Sequence, residues 1–382
     1  MNLQTWIRIQ TFGSAIIKFE IVMVNIRFSF ISLPVIVLLL WSCSDDNPSV
    51  SIPVNLSNEW ITGNLEEANI GNLDDAIMAA EEIPRFTSLL IVRDGKLVLE
   101  EYFHGFHADS IHDVRSVTKS IVSTLTGIAL DVGFISSIDE TLEDHLPANE
   151  FDLTAEQKNI SIRHLLTMSS GFQWNEWTST SYNDWILSGD HTGYLLGLSQ
   201  QSIPGSEFTY NSAAVHLLGV VLEKAVGMKL YDFANQYLFD RIGVGTKEWE
   251  LLSDGYVNAG SGLDLSSRDL ARFGQLILQK GRSGNQTIVS ESWVTDATDS
   301  KFSWSFDYGA LKNYSYGYLW WTPPDAILAW GYGGQFIYIV PDKNLVIVTT
   351  VNWHFISSDG GPASTELAAL DVIINKILPK VM

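Results

Sequence analysis

A serine and a lysine stand three residues apart where a long apolar run begins. In DVRSVTKSIVSTLTGIALDVGFI, Ser116 and Lys119 are followed by apolar residues at helical spacing. Positions i and i+3 share one helix face, so the lysine amine can reach the serine hydroxyl. A serine needs a nearby base to act as a nucleophile, and a lysine is such a base when burial or a second cation lowers its pKa. The spacing therefore predicts a nucleophile and its base.

A tyrosine in GSEFTYNSAAVHLLG would supply a proton to the same site. Tyr210 lies in a loop directly before a helical pattern, and Ser212 follows two positions later. A tyrosine beside a cationic lysine is expected to have its pKa lowered from about 10 and to shuttle a proton. The alternative interpretation is a buried tyrosine at a helix start.

A glycine-rich segment, AWGYGGQFIYIVPD, completes the set of candidates. Gly331, Gly333 and Gly334 precede a β-rich run, and glycines there let a substrate or another backbone approach closely. A backbone N–H from this stretch would form an oxyanion hole with the N–H of Ser116. The alternative is an ordinary turn before a strand.

The elements that must position these residues are strands at both ends of the folded part and helices between them. Two β-rich runs flank Asp94-Gly95, a strong hairpin signal. Helical patterns lie at 117–133, 213–227 and 266–281, and β-rich runs return at 317–321, 334–342 and 344–352. This order predicts an α+β fold, with one antiparallel sheet formed from both chain ends and flanked by helices, plus a mostly helical subdomain.

Taken in this order, the three segments resemble the serine β-lactamase and penicillin-binding-protein superfamily. The likeness is to its class C β-lactamase-like branch, which also contains esterases, D-aminopeptidases and 6-aminohexanoate-dimer hydrolase. It spans roughly 85 to 352 and includes ISIRHLLTMSSGFQW and GSGLDLSSRDLARFGQLILQKG. The resemblance implies a β-lactamase/transpeptidase-like fold and a serine hydrolase that acts through an acyl-enzyme on an amide or ester bond.

The resemblance also implies a role for each motif residue. Ser116 would be the acylated nucleophile, Lys119 its base or hydrogen-bond partner, and Tyr210 a proton relay. The backbone N–H groups of Ser116 and Tyr332 would hold the oxyanion. Whether Lys119 or Tyr210 takes the serine proton stays open. The chemistry requires no cofactor and no metal.

Two motifs depart from the family pattern. Tyr-Asn-Ser at 210–212 stands where the family has Tyr-x-Asn, and Gly-Tyr-Gly at 331–333 stands where it has Lys-Thr-Gly. In β-lactamases that lysine helps hold a substrate carboxylate, so its absence shifts the expected substrate toward another amide or an ester. The GYGGQ stretch looks most like the 6-aminohexanoate-dimer hydrolase members. Ser212 and Gly333 are expected to contact the substrate.

Further candidate substrate contacts lie between the first two motifs. Trp177 would line an aromatic cleft, because loops between catalytic motifs usually wall the site; core packing is the competing explanation for each tryptophan. Asp184, with Tyr182 nearby, would contact a substrate amine.

The composition excludes several other classes of protein. The chain has 382 residues, a net charge of −21 and 46% apolar residues. This charge argues against nucleic-acid binding and suits an uncharged or cationic small molecule. His104, His107 and His112 are close in sequence but lack a familiar ligand spacing, so we expect no metal site. The absence of G-x-S-x-G disfavours an α/β-hydrolase.

The N-terminal region predicts export and anchoring. An apolar stretch at 28–41 precedes Cys43, which resembles the lipobox of bacterial lipoproteins, although Trp41 replaces the usual small residue. We expect a signal segment at 1–43, a tether at 44–58 and the hydrolase domain at 59–382. Met23 is a candidate start, and lipid on Cys43 would hold the protein to a membrane of the cell envelope. An uncleaved anchor helix is the alternative.

A second function class stays open on the same fold. A penicillin-recognising or sensor protein would be acylated without turnover. The combined presence of Ser116, Lys119 and Tyr210 favours turnover, because a protein that no longer catalyses would be expected to have lost one of them.

Overall fold

The computed structural model describes residues 53–178, 181–245, 247–304, 307–354 and 360–382. The expected signal segment, Met23 and Cys43 lie outside the described residues, as does the expected tether up to residue 52. The end of that tether packs on the domain, because Leu56 is buried in the core and its N–H donates to Ser283 Oγ at 2.9 Å. The folded part therefore includes residues that precede 59.

An eight-stranded antiparallel sheet joins the two ends of the folded chain. The strands of the domain are β1 (Phe86–Arg93), β2 (Lys96–Tyr102), β3 (Ile111–Asp113), β4 (Glu248–Trp249), β5 (Leu263–Ser266), β6 (Arg282–Ser283), β7 (Gln286–Thr287), β8 (Phe302–Ser303), β9 (Ser315–Tyr316), β10 (Trp321–Thr322), β11 (Ile327–Gly331), β12 (Gln335–Val340) and β13 (Leu345–Val351). The order in the large sheet is β2-β1-β13-β12-β11-β10-β9-β8. The first strand pairs with the last one, from Phe86–Val351 to Arg93–Leu345, which confirms the predicted sheet.

The hairpin between β1 and β2 forms where the sequence predicts it. Arg93 pairs with Lys96, and the two residues between them, Asp94 and Gly95, have φ of +49° and +75°. Positive φ at both central residues is the turn that matches the twist of paired strands.

The large sheet is covered on both faces. Along β1, Leu90 and Val92 join one apolar core, whereas Leu89 and Ile91 join the other, because successive side chains point to opposite faces. The helices are α1 (Asp74–Glu81), α2 (Val117–Val132), α3 (Leu142–His145), α4 (Ile162–Leu166), α5 (Tyr182–Ile186), α6 (His191–Leu196), α7 (Ser212–Val226), α8 (Leu230–Ala234), α9 (Ser267–Leu278), α10 (Glu291–Ala297) and α11 (Pro362–Asp371). Helix α9 packs on β1, β12 and β13, and α1 packs with the C-terminal helical segment after α11.

A helical region beside the sheet surrounds α2 and α7. Helix α7 contacts α2, α3, α4, α5, α6 and α8, while α2 also contacts β11 of the large sheet. Helix α2 therefore lies between the sheet and the helical region, which confirms the expected subdomain. Within the described residues, no helix is both long and apolar enough to cross a membrane.

One predicted strand is wrong over most of its length. The stretch 317–321 forms a strand only from Trp321 onward. Leu319 has φ of +60°, its N–H donates to Leu166 O at 3.0 Å, and its carbonyl accepts from Ser120 Oγ at 2.8 Å. A loop tied to α4 and α2 replaces the strand because tertiary hydrogen bonds outweigh the local β-preference.

Candidate active site

The start of α2 places Ser116 in a half-buried position that a ligand can reach. Ser116 is the N-cap of the helix, and the preceding residue, Arg115, has φ of +50°. The N–H of Arg115 donates to Asp113 Oδ1 at 2.9 Å, which stabilises this sharp change of chain direction. The helix is buried along most of its length and ends at Gly133, with φ of +88°, as the sequence predicts.

Lys119 lies at the centre of a buried hydrogen-bonded cluster. Its Nζ is 2.9 Å from Ser116 Oγ, 2.9 Å from Ser212 Oγ and 2.6 Å from Gly260 O. The side chain is only 1% exposed. The cluster thus joins α2, the start of α7 and the loop before β5, which lie far apart in the sequence.

The surroundings of Lys119 move its pKa to neutrality. Burial lowers the pKa of Lys119 to about 7, the Glu176 carboxylate opposes that effect, and the Arg115 guanidinium adds to it. An amine with this pKa is unprotonated in a substantial fraction of molecules near pH 7. The apolar run after Lys119 had predicted this effect of burial, but not the two neighbouring charges.

Lys119 Nζ has three hydrogen-bond partners, which suit the three donors of an ammonium and, with the Ser116 contact reversed, also suit a neutral amine. Gly260 O can only accept. The Ser212 hydroxyl donates its hydrogen to Glu176, so it accepts a second hydrogen bond from Lys119. In the neutral amine the lone pair is therefore left for Ser116, whose hydroxyl proton it can take.

Glu176 is a residue of this cluster that the sequence analysis missed. Its carboxylate accepts hydrogen bonds from the Ser212 hydroxyl, from the Ser212 N–H at 3.0 Å and from Trp174 Nε1 at 2.7 Å. The hydrogen of the Ser212 hydroxyl is therefore used within the protein, and a substrate contact by Ser212 stays a prediction. Ser212, hydrogen-bonded to the Glu176 carboxylate, stands where the Tyr-x-Asn pattern of the family has its asparagine. No motif marks Glu176, since a loop brings it to α7.

The Tyr210 hydroxyl lies close enough to Ser116 for that serine to lower its pKa, against larger opposing effects, and Lys119 Nζ lies 4.9 Å from the Tyr210 ring centre. Burial raises the pKa of Tyr210 well above its usual range, and the Glu176 carboxylate raises it further. The lowered pKa that we expected from a neighbouring lysine is therefore wrong, because burial disfavours the phenolate and the adjacent amine is close to neutral. Tyr210 is suited to donate a proton.

The tryptophans between the motifs divide between surface and core. Trp177 is 79% exposed and stacks on the Tyr210 ring with centroids 6.0 Å apart. Trp321 stacks on the same ring at 5.9 Å. In contrast, Trp174 and Trp185 are buried in the core. Trp177 is thus the tryptophan whose position best fits an aromatic wall beside the cluster.

Arg115 is a second residue that the sequence analysis did not select. Its guanidinium donates to Tyr182 Oη at 3.2 Å, makes an ion pair with Asp113 at 3.5 Å and lies 4.5 Å from the Trp353 ring centre. Tyr182 Oη in turn contacts Ser261 Oγ at 3.2 Å. These contacts hold a positive charge near Lys119, which adds to the effect of burial in lowering the pKa of Lys119.

The glycine-rich segment forms the turn between β11 and β12. A Cβ on Gly331 would lie 2.3 Å from Val114 O, so only glycine allows β11 to approach the chain that leads into Ser116. Gly331 O accepts the Gly334 N–H at 3.2 Å, and Tyr332 is 43% exposed. The close approach brings the backbone of Tyr332 into the vicinity of α2, as an oxyanion donor requires.

Gly333 uses its N–H within the protein. That N–H donates to Glu366 Oε2 at 2.8 Å, and Gly333 has φ of +88°, a value that a residue with a Cβ rarely adopts. A substrate contact by Gly333 remains a prediction, but it would not use this N–H.

The remaining candidates lie outside the cluster. Asp184 is exposed on α5, and in the described part of the chain no hydrogen bond joins it to the cluster; its contact with a substrate amine stays a prediction. Of the three histidines, His112 is buried rather than on the surface, and burial lowers its pKa to about 4. Among the described residues, no group of three or more metal-ligating side chains could hold an ion.

Comparisons with known proteins show the family of the chain. A model of the Beta-lactamase family matches residues 78–369. A 6-aminohexanoate-dimer hydrolase from Paenarthrobacter ureafaciens is 24% identical over 298 residues, which are 70% of this chain and 72% of that protein.

Solved structures share the fold at lower identity. The structure of a proposed 6-aminohexanoate-dimer hydrolase from Bacillus anthracis has a TM-score of 0.69 at 20% identity, covering 85% of this chain and 89% of that one. An octameric penicillin-binding protein homologue from Pyrococcus abyssi has a TM-score of 0.62 at 19% identity, covering 81% and 78%.

Proposed function

The chain belongs to the Beta-lactamase family and is a hydrolase, and from that premise we propose that it cleaves an amide or ester bond through an acyl-enzyme on Ser116. The observation that carries the proposal is the buried Lys119 amine, 2.9 Å from Ser116 Oγ, with its pKa lowered to about 7. An amine in this state takes a hydroxyl proton at neutral pH.

Acylation consists of three proton transfers and one bond exchange at the carbonyl carbon. Lys119 takes the hydroxyl proton while Ser116 Oγ attacks the carbonyl carbon, and the backbone N–H groups of Ser116 and Tyr332 stabilise the oxyanion. Tyr210 then protonates the leaving amine or alcohol and regains a proton from Lys119. The raised pKa of Tyr210 supports Lys119 as the base and Tyr210 as the acid.

Deacylation uses the same groups in the reverse order. Water replaces the leaving group. Tyr210 takes a proton from this water as it passes its own proton to Lys119, and the hydroxide attacks the ester carbon. Lys119 then gives the proton to Ser116 Oγ as the ester C–O bond breaks, which releases the acid product. No step requires a metal or a cofactor.

We propose a linear amide or an ester, rather than a β-lactam, as the substrate. The turn at 331–333 lacks the lysine that holds a substrate carboxylate in β-lactamases, and the Glu366 carboxylate lies behind it. The most exposed tryptophan of the site, Trp177, offers an apolar face next to Tyr210. The related 6-aminohexanoate-dimer hydrolase is named for a substrate that is a linear amide, which agrees with this substrate class.

The test compares wild type with Ser116→Ala on p-nitrophenyl esters, linear amide oligomers and a chromogenic cephalosporin. We expect turnover of esters or amides, loss of activity in the variant, and an acyl adduct on Ser116 by intact-mass analysis. A stoichiometric burst of product without turnover would instead support the acylated sensor. If no substrate gives either a burst or an adduct on Ser116, the acyl-enzyme is refuted.

The aromatic wall has its own test. Trp177→Ala should raise KM about three- to tenfold for aromatic acyl esters and leave the acetyl ester unchanged, because stacking serves only the larger group. Leu187→Ala is the matched control, since Leu187 is 83% exposed and lies just after α5. An equal effect on both esters would argue against a stacking role.

We further propose that lipid on Cys43 anchors the domain in the cell envelope. The support is the lipobox-like segment at 28–43. Expression from Met23 with Cys43→Ala should release the protein from membranes, and unchanged membrane association would contradict the lipid anchor.

A further inference from the structure

A buried carboxylate supports the turn that carries Tyr332. Glu366, on α11, is 6% exposed, and its Oε2 accepts the Gly333 N–H at 2.8 Å. The Tyr308 and Trp330 side chains lie close enough to Glu366 to lower its pKa, but the larger effect of burial raises it. Groups from two segments thus surround one side chain of the C-terminal helix.

The Gly333 N–H can only donate, so Glu366 must offer it an acceptor. An ionised carboxylate does so with a charge-assisted hydrogen bond. A glutamine keeps a single accepting oxygen and makes only a neutral hydrogen bond. Glutamate is therefore the stronger acceptor for the Gly333 N–H, although burial of the charge is unfavourable.

The turn itself determines where the Tyr332 N–H points. Gly331 O accepts the Gly334 N–H, and Gly333 has the left-handed φ that a type II turn requires at its third residue. In a trans peptide unit the C=O and N–H point in opposite directions. Since Gly331 O points into the turn, the Tyr332 N–H points out of it.

The peptide unit between Tyr332 and Gly333 is the part of such a turn that can reverse. With its N–H on Glu366, its carbonyl points away from the carboxylate. Reversal would leave the Gly333 N–H without that acceptor and turn the Tyr332 carbonyl oxygen toward a negative charge. Glu366 therefore opposes the one rearrangement that would most easily change the turn.

We propose that Glu366 is a positioning residue that holds the backbone of Tyr332 in the orientation of an oxyanion donor. The inference rests on the proposed function, in which Tyr332 is that donor. Glu366 does not touch the substrate; it acts through Gly333. The turn is linked to the nucleophile by the contact of Gly331 with Val114, so a shift of the turn changes the distance to Ser116.

The experiment measures ester hydrolysis by Glu366→Gln and by Tyr308→Phe, which removes a hydroxyl beside Glu366 without altering α11. Asp371→Asn is the control, because it removes a carboxylate of the same helix that contacts Asn375 instead. Oxyanion contacts form mainly in the transition state, so kcat should fall while KM stays constant. We expect about a tenfold or larger loss for Glu366→Gln and about threefold for Tyr308→Phe.

A second readout separates positioning from a general loss of stability. Phenylboronic acid forms an adduct with an active-site serine whose oxygen can occupy the oxyanion position. Its Ki should rise in Glu366→Gln by the same factor as kcat falls, whereas Asp371→Asn should leave both unchanged. If Glu366→Gln does not fold, Tyr308→Phe decides the question, because its kcat should fall and its Ki should rise by the same factor.

The outcomes distinguish this inference from the proposed function. An active wild type that loses activity in Ser116→Ala, together with unchanged kcat and Ki in the folded Glu366 and Tyr308 variants, would overturn the positioning role alone. A wild type without Ser116-dependent chemistry would overturn the proposed function first. A rise in KM with constant kcat would also count against the inference, because it would indicate ground-state binding.

Discussion

Replacing Glu176 by glutamine should shift the pH dependence of the hydrolase toward acid. The Glu176 carboxylate lies behind the Ser212 hydroxyl, which also contacts Lys119. It stabilises the protonated form of Lys119 and so raises its pKa, against the larger effect of burial. Without that charge the pKa of Lys119 falls below about 7, and the neutral base persists to lower pH.

The size of the shift follows from the geometry. A single hydroxyl separates the two charges, which places them roughly 5 Å apart and corresponds to ~3 kcal/mol, or about 2 pKa units, at an effective dielectric constant of about 20. Solvent near the half-buried Glu176 reduces this value. We therefore expect the acidic limb of kcat/KM to move down by about one to two pH units.

The assay is the pH profile of kcat/KM for a neutral ester from roughly pH 5 to 9, which reports groups of the free enzyme. Trp174→Phe is the matched control, because it removes a hydrogen bond to Glu176 and keeps the charge; its midpoint should match wild type. A midpoint for Glu176→Gln that stays in place or moves upward, in a folded protein, would refute the electrostatic coupling to Lys119.

Three further outcomes follow from the same geometry. Arg115→Gln removes a cation that lowers the pKa of Lys119, so the acidic limb should move up by as much as about one pH unit; a downward shift would contradict this. Tyr210→Phe should lower kcat for amides by about a hundredfold or more. Because burial raises the pKa of Tyr210, the pH profile of the wild type should show no alkaline limb from this residue below pH 10. Gly331→Ala places a Cβ 2.3 Å from Val114 O and should cost roughly 1–3 kcal/mol of unfolding free energy, and an unchanged urea midpoint would argue against a tight contact.

Several parts of the fold could be predicted because their signals are local. The Asp94-Gly95 hairpin depends on two residues that accept positive φ, and the helix after Ser116 depends on apolar residues at helical spacing. The stretch 317–321 shows the limit of such signals, since its hydrogen bonds to α4 and α2 replace a strand that its residues favour.

The candidate site was only partly accessible from the sequence. Ser116 and Lys119 are one helical turn apart, so their contact follows from helix geometry alone. Glu176 and Glu366 carry no motif, because each reaches its partners from a separate loop or helix. The raised pKa of Tyr210 was missed for the same reason, since it depends on burial and on a carboxylate supplied by another segment.

By itself, the sequence determined the order of strands and helices, the serine–lysine pair and the family likeness. The tertiary structure alone decided which charges surround Lys119, which hydrogen bonds Ser212 and Gly333 have already used, and which carboxylate supports the turn at 331–334. The physical reason is that propensity and helical spacing act between residues near in the chain, whereas Coulomb interactions, burial and hydrogen bonds depend on distances in space.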